Sequence, residues 1–254
     1  MSTRYDYLKI SEIDKIVKNV EKSFVQKHGN RIFHDPKVLQ LLLKVIYHGM
    51  LNVKEAVNIQ KDDVDPNNHQ IILRETKTGW TKCHCHGQDK NCKNCNGKGR
   101  YQKPEKTIFS SKNLWEEIRD YLRTSDSKKF VFENSKTHKG ISRQSIWVLV
   151  TGIAEQSGFG KKIDPKILRN SRAQHLRISR ILTESEIHQL YRGSKIQISG
   201  SYVPKSDIEL LDKEEKANTF LLTYCENCDY KNPDDARYCC MCATKLRENK
   251  SLIL

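Results

Sequence analysis

The sequence predicts an α+β fold, mainly helical, with a small antiparallel β-hairpin or sheet and two small cysteine-rich modules. Three observations predict it. Apolar residues recur at helical spacing along most of the 254 residues, two strand-like segments flank one cysteine cluster, and a second cluster lies near the C-terminus. We expect a main domain over residues 1–205 with an insertion at 80–101. A linker over 206–222 and a terminal module over 223–247 would follow.

Three helices are predicted in the first sixty residues. The segment SEIDKIVKNVEKSF has apolar residues at helical spacing and a capping-box-like start at Ser11 and Asp14. Asp35 begins a second helix, and its run KVLQLLLKVIYHGML is apolar enough to be central and buried. Asn52 is a good N-cap for a short third helix, NVKEAVNI.

The middle of the chain predicts a hairpin and the rest predicts further helices. Residues 70–76 and 105–110 have the composition of paired strands, so the cysteine cluster between them is an insertion at the hairpin tip. Later helices are predicted at LWEEIRDYL, QSIWVLVTGIAEQ, KILRNSRAQHLRISRIL and ESEIHQLY, and a short strand at KFVFE. The third of these helices is strongly basic.

The C-terminal cluster has the spacing C-x2-C-x10-C-x2-C, formed by Cys225, Cys228, Cys239 and Cys242. Two such pairs offer four thiolates to one tetrahedral ion, which predicts a structural Zn²⁺ site of the zinc-ribbon type. Cys240 is a spare thiol that could replace a neighbour. Disulfides are the weaker alternative, because nothing at the N-terminus resembles a secretory signal.

The insertion holds a second cluster with the spacing C-x-C-x6-C-x2-C, formed by Cys83, Cys85, Cys92 and Cys95. His84 and His86 are substitute ligands. Its second half resembles the C-x2-C-x-G-x-G repeat of J-type co-chaperones, whose glycines allow a tight turn around zinc. We therefore predict a zinc-stapled hairpin and two Zn²⁺ ions per chain, with redox sensing as the competing interpretation.

The chain is strongly basic, with 45 Lys and Arg against 31 Asp and Glu and a formal charge of +14. Two four-thiolate zinc sites would lower that charge to about +10. A field of this sign favours polyanions, and nucleic acid is the usual one. No apolar run has the length of a membrane-spanning helix, so we expect no membrane partner and a cytoplasmic, DNA-associated protein. The alternative is that the lysines only solvate the surface.

Four segments resemble, in order and spacing, the catalytic domain of the tyrosine recombinases, the family of phage and archaeal integrases. YHGMLNVKEAVNIQKDDVD resembles the first box of the family, and RETKTG resembles its hairpin lysine motif. KILRNSRAQHL resembles the second box, and LYRGSKIQISGSYVP resembles the segment that ends in the nucleophile. The C-terminal cluster resembles zinc ribbons appended to some archaeal members. The resemblance covers roughly residues 5 to 205.

This resemblance implies DNA strand exchange through a covalent 3′-phosphotyrosyl intermediate. Tyr202 falls at the nucleophile position and Arg169 at the second arginine, which stabilises charge on the phosphate. Lys77 falls at the hairpin lysine, which protonates the leaving hydroxyl. The chemistry needs no metal, so the predicted Zn²⁺ ions would be structural or would contact DNA.

Three pocket positions depart from the family pattern. Asn52 stands at the first arginine, Lys166 at the second-box histidine and Gly193 at the third-box histidine. Asn52 has no charge and a shorter reach to a phosphate oxygen, so we expect impaired strand transfer. Lys166, and Arg192 beside Gly193, could still supply positive charge. An ordinary helix cap is the alternative role for Asn52.

Binding of double-stranded DNA is expected to survive these changes, because phosphate contacts need only correctly placed cations. The candidate contacts are Arg172, Arg177, Arg180 and Arg192 in the basic segments and Lys82, Lys98 and Arg100 in the insertion. A solvated basic loop is the alternative interpretation of the insertion.

Two alternative functions remain open at this stage. One is an active integrase with a rearranged pocket of Tyr202, Arg169, Lys77 and Lys166. The other is a zinc-ribbon adaptor that binds protein or RNA. Family members commonly carry a separate N-terminal helical domain, and this sequence begins almost directly at the catalytic domain. Tight, site-specific recombination would then need the ribbon or a partner to replace that domain, and self-association on DNA is a further expectation.

Overall fold

The structure, a computed structural model, describes most of the main domain and most of the terminal module. The described residues are 7–28, 35–74, 80–102, 105–134, 138–156, 158–159, 163–192, 205–233 and 236–246. The predicted catalytic residues Lys77 and Tyr202, and the changed position Gly193, lie outside them, as does the side chain of Arg192. No described helix is long and apolar enough to cross a membrane.

The described part is mainly helical, as predicted. Its helices are α1 (Ile10–His28), α2 (Pro36–His48), α3 (Val53–Val57), α4 (Lys112–Thr124), α5 (Arg143–Gln156), α6 (Lys166–Ser179), α7 (Glu184–Arg192) and α8 (Asp207–Thr223). Its strands are β1 (Val64–Asp65), β2 (Gln70–Leu73), β3 (Trp80–Lys82), β4 (Arg100–Gln102) and β5 (Glu105–Ile108). The α+β class is confirmed.

Helix α2 is the centre of the core, as its apolar run predicts. It packs against α1, α4 and α6, and every residue from Leu41 to His48 is buried. Asp35 caps its N-terminus and accepts a hydrogen bond from the Lys37 N–H at 2.8 Å, which confirms the predicted start. The turn that follows this buried helix lines the candidate site described below.

The predicted hairpin is present and continues into the cysteine-rich insertion. Strands β2 and β5 pair antiparallel, with Gln70 opposite Ile108 and Leu73 opposite Glu105. Strands β3 and β4 form a separate two-stranded hairpin between them in the chain. The predicted strand KFVFE is wrong, because its residues form only isolated bridges, Gln60 with Phe130 and Glu133 with Gly140.

Two further expectations differ from the structure. The predicted capping box at Ser11 and Asp14 is wrong, because α1 begins at Ile10 and Ser11 lies inside its first turn. Segment 206–222, expected to be a linker, forms most of α8. Leu210 and Ala217 of this helix are buried in one apolar cluster, and Leu221 is buried in the main core. Helix α8 is therefore an integral part of the fold.

Candidate functional site

A cleft of about 450 Å³ opens where the turn after α2 meets α6 and α7. Its lining includes Met50 from the turn, Arg169 and Arg177 from α6, and Glu184 and Tyr191 from α7. Met50, Arg169 and Tyr191 lie in three of the four sequence segments singled out above. The structure thus brings together segments that are more than a hundred residues apart in the chain.

Arg169 is the predicted site residue that lies in this cleft. It is half-buried, and its guanidinium carbon lies 5.5 Å from the centroid of the Tyr191 ring. This cation–π contact orients the guanidinium without neutralising it. Among the described residues no carboxylate pairs with Arg169. Its charge is therefore available to an anion that enters the cleft.

Arg177 lies in the same cleft, but a carboxylate holds it. Its Nε and Nη2 donate to the two carboxylate oxygens of Glu184 at 2.5 and 2.9 Å. The hydrogen bond from Arg177 is the main reason that the pKa of the Glu184 carboxyl is lowered. Arg180 follows the end of α6 with a left-handed φ of 56° and is exposed. Both side chains are exposed, and of these two predicted DNA contacts only Arg177 has a carboxylate partner among the described ion pairs.

The Asn52 side chain caps the N-terminus of α3. Its Oδ1 accepts from the Glu55 N–H at 2.9 Å, and Glu55 Oε2 accepts from the Asn52 N–H at 2.9 Å. This reciprocal capping box confirms the helix-cap interpretation of Asn52. Lys166 is exposed at the first turn of α6, and its N–H donates to Asp164 at 2.7 Å. Neither Asn52 nor Lys166 is among the described residues that line the cleft.

The prediction that Arg172 contacts a phosphate is wrong. Its side chain is 0% exposed, and its Nη2 donates to Glu214 Oε1 of α8 at 2.5 Å. Glu214 Oε2 accepts from the Ser110 N–H at 2.7 Å. Burial raises the pKa of the Glu214 carboxyl, and the Arg172 guanidinium opposes that shift. The pair links α6 to α8, and Glu214 also holds the segment that follows β5. Arg172 therefore stabilises the fold.

The four thiols of the insertion form one compact group. The sulfurs of Cys83, Cys85, Cys92 and Cys95 lie within 4.8 Å of one another, and neighbouring pairs are 3.3–3.5 Å apart. Four sulfurs at about 2.3 Å from a tetrahedral Zn²⁺ would be roughly 3.8 Å apart, so the donor set fits such an ion. A hydrogen bond from the Gly87 backbone lowers the pKa of Cys85 to about 7. His84 and His86 are exposed and outside the group.

The C-terminal module holds a second group with the same chemistry. The sulfurs of Cys225, Cys228, Cys239 and Cys242 also lie within 4.8 Å of one another, with pairs at 3.5 and 3.6 Å. Hydrogen bonds with the Thr244 and Asn227 side chains lower the pKa of Cys242 to about 5, which favours a metal-binding thiolate. Cys240 is exposed and does not belong to the group.

A carboxylate of the C-terminal module caps helix α1. Glu226 lies between two cysteines of the second group, and its Oε1 accepts from the Ile10 N–H at 2.7 Å. Its Oε2 accepts from the Ser11 hydroxyl at 2.8 Å, and its carbonyl accepts from Lys9 Nζ at 3.0 Å. The sequence does not predict this contact, because the partners are 216 residues apart and no local pattern links them.

No family model matches the sequence. The chain is 25% identical over 181 residues to the tyrosine recombinase XerA of Thermococcus kodakarensis, an alignment that covers 70% of this chain and 55% of that protein. Among solved structures, the XerA recombinase superposes with a TM-score of 0.50 at 16% identity, over 86% of this chain and 62% of that chain. The XerH site-specific recombinase bound to a palindromic difH substrate superposes with a TM-score of 0.51 at 14% identity, over 75% of this chain and 46% of that chain.

The chain is similar to members of the tyrosine recombinase/integrase family in both sequence and fold. It spans about half to two thirds of the length of these relatives. The cleft lies where α6, which contains the segment that resembles the second box, meets the turn in the segment that resembles the first box. Arg169 is the family-pattern residue that the described structure places in it.

Proposed function

We propose that this chain binds double-stranded DNA and acts in DNA recombination or integration, with its strand-transfer step impaired. The observation that carries the proposal is Arg169, which presents a guanidinium without a described carboxylate partner in a cleft shared by three family segments. A guanidinium so placed can hold a phosphate oxygen through two hydrogen bonds. We assign Arg169 to the scissile phosphate and Tyr202 to the nucleophile position.

Impaired strand transfer follows from what occupies the first-arginine position. The Asn52 side chain carries no charge, and its oxygen is held by the α3 backbone. Loss of one positioned donor to the reacting phosphate costs roughly 100- to 1000-fold in rate. Lys77 is assigned to the leaving hydroxyl and Lys166 to residual positive charge near the phosphate.

The first test of DNA binding is a titration of labelled duplex at several salt concentrations. We expect affinity to fall steeply as salt rises, because displaced counterions dominate binding to phosphates. Arg169→Ala should weaken binding, whereas Arg123→Gln, a change at an exposed position of α4, should leave it unchanged. A protein that binds no duplex even at low salt would contradict the proposal.

We assign one structural Zn²⁺ to each four-cysteine group, held by Cys83, Cys85, Cys92 and Cys95 and by Cys225, Cys228, Cys239 and Cys242. The support is the compact geometry of the four sulfurs in each group. The ions would hold the chain and take no part in strand transfer. Metal analysis of protein purified under reducing conditions should find two zinc ions per chain, and finding none would refute the assignment.

A further inference from the structure

The β3–β4 hairpin has two chemically different faces. Successive side chains of a strand point to opposite sides, and Thr81 pairs with Tyr101 while Lys82 pairs with Arg100. Thr81 and Tyr101 are half-buried, and Tyr101 packs against the first cysteine group. Trp80, Lys82 and Arg100 are exposed. We call these three residues the outer face of the hairpin.

Trp80 is the unusual member of the outer face. Its side chain is 51% exposed, whereas Trp115 in the core is 1% exposed. The guanidinium carbon of Arg100 lies 5.1 Å from the centroid of the Trp80 ring, a diagonal contact across the two strands. A large exposed aromatic ring on a structured hairpin is typical of a binding surface. The contact with Arg100 restrains the ring while a large part of it remains open to solvent.

The charge around the outer face identifies the class of partner. Residues 80–102 contain five basic side chains and one carboxylate, that of Asp89. The basic residues are all exposed, and they are Lys82, Lys90, Lys93, Lys98 and Arg100. Cations attract phosphates, and an aromatic ring beside them can pack against bases and sugars that a phosphate contact alone cannot reach. An apolar side chain between cations is a common means of contact with a DNA groove.

We propose that the outer face of this hairpin is a duplex DNA contact in which Trp80 packs against the sugars and base edges of a groove. Lys82 and Arg100 bind phosphates on either side of the ring. This inference rests on the proposed function and extends it, because it adds an apolar contact to a surface otherwise predicted to act through charge. The first cysteine group holds the two strands in the geometry that presents the face.

The test separates an apolar contact from a charge contact with one experiment. A labelled random-sequence duplex of about 30 base pairs is titrated at several salt concentrations, and both affinity and salt slope are recorded. Trp80→Ala should weaken binding about tenfold and leave the slope unchanged, because it removes no charge. Lys82→Gln should weaken binding and lower the slope by about 0.9, because it removes one phosphate contact.

Matched controls come from the same chain. Trp147 on α5 is 43% exposed, so Trp147→Ala removes a similar exposed ring outside the hairpin and should not change affinity. Arg123→Gln removes an exposed cation of α4 in the same way. Each hairpin variant should retain the zinc content of the natural protein, which shows that the hairpin is still folded.

Three results would overturn the inference, and they are distinguishable. Natural protein that binds the duplex with a steep salt slope, together with an unchanged Trp80→Ala variant, would refute the outer face and leave the proposed function standing. Natural protein that binds no duplex would refute both. A dependence on Trp80 that is stronger for single-stranded DNA or RNA than for the duplex would refute the assignment of the partner.

Discussion

The two cysteine groups have the same four-thiol chemistry but different relations to the rest of the molecule. The first group packs with Tyr101 of its own hairpin, and we have assigned the outer face of that hairpin to DNA. The second group directly follows α8, and its Glu226 caps α1. One predicted zinc site therefore organises a surface element, whereas the other holds together two ends of the main domain.

The contacts of the second group continue to the candidate site. Glu226 fixes the start of α1, and two residues earlier the Leu8 N–H donates to Ser171 Oγ on α6 at 2.9 Å. Asn232 is buried and ties the module to the end of α8, because its Nδ2 donates to the Thr223 carbonyl at 3.1 Å. The module therefore supports the helix that carries Arg169.

The largest expected effect comes from the ion pair that anchors α8. Arg172→Met would leave the buried Glu214 carboxylate without its cation, and breaking such a pair costs about 3–5 kcal/mol of the free energy of unfolding. Denaturant unfolding measures this cost. Glu214→Leu added to Arg172→Met should restore much of the stability, since it removes the unpaired charge. A single variant as stable as the natural protein would show that α8 is not anchored by this pair.

Removal of one ligand from each cysteine group compares the two sites directly. Cys225→Ser should lower the free energy of unfolding by at least about 2 kcal/mol, because loss of the metal also releases the Glu226 cap. Cys92→Ser should change the main unfolding transition by less than about 0.5 kcal/mol, because the hairpin opens locally. Each variant should contain one zinc ion fewer. Equal destabilisation by the two changes would contradict the distinction.

The Glu226 cap can be removed without touching a thiol. Glu226→Ala should lower the free energy of unfolding by about 1–2 kcal/mol, the usual cost of a lost helix cap, and keep both zinc ions. Thermal unfolding followed by circular dichroism measures it. Glu116→Ala, at an exposed position of α4, is the control and should have little effect. Identical melting of both variants would mean that the capping contact adds no stability.

The smallest effect on the stability of the whole protein is expected from a substitution in the turn of the cysteine-rich hairpin. Gly99 has a φ of +67°, and a Cβ there would lie 3.1 Å from the His86 backbone, so Gly99→Ala should strain the first site and speed zinc release to a chelator. Gly158 has a φ of +68° with open space around it, so Gly158→Ala adds similar backbone strain outside the hairpin. It should not change zinc release. Unchanged release from Gly99→Ala would contradict the expected coupling.

Local chemistry made part of this structure predictable. Asp35 and Asn52 cap the helices that their sequences predict, and the cysteine spacings predict the two groups. The basic composition of α6 led to the wrong prediction that Arg172 contacts DNA. Composition cannot show that one face of a basic helix is buried against α8. Glu226 could not be predicted, because a cap supplied from the other end of the chain leaves no local pattern.

Our central proposal is that the chain binds DNA in a tyrosine recombinase-like pocket but cleaves it inefficiently. Covalent trapping on DNA tests this proposal most directly. The natural protein, Tyr202→Phe and the triple variant Asn52→Arg, Lys166→His and Gly193→His would be incubated with DNA from the neighbourhood of the gene. We predict a denaturant-resistant adduct from the triple variant that disappears when Tyr202→Phe is added, and little or none from the natural protein. An equally abundant adduct from the natural protein, abolished by Tyr202→Phe, would contradict impaired strand transfer.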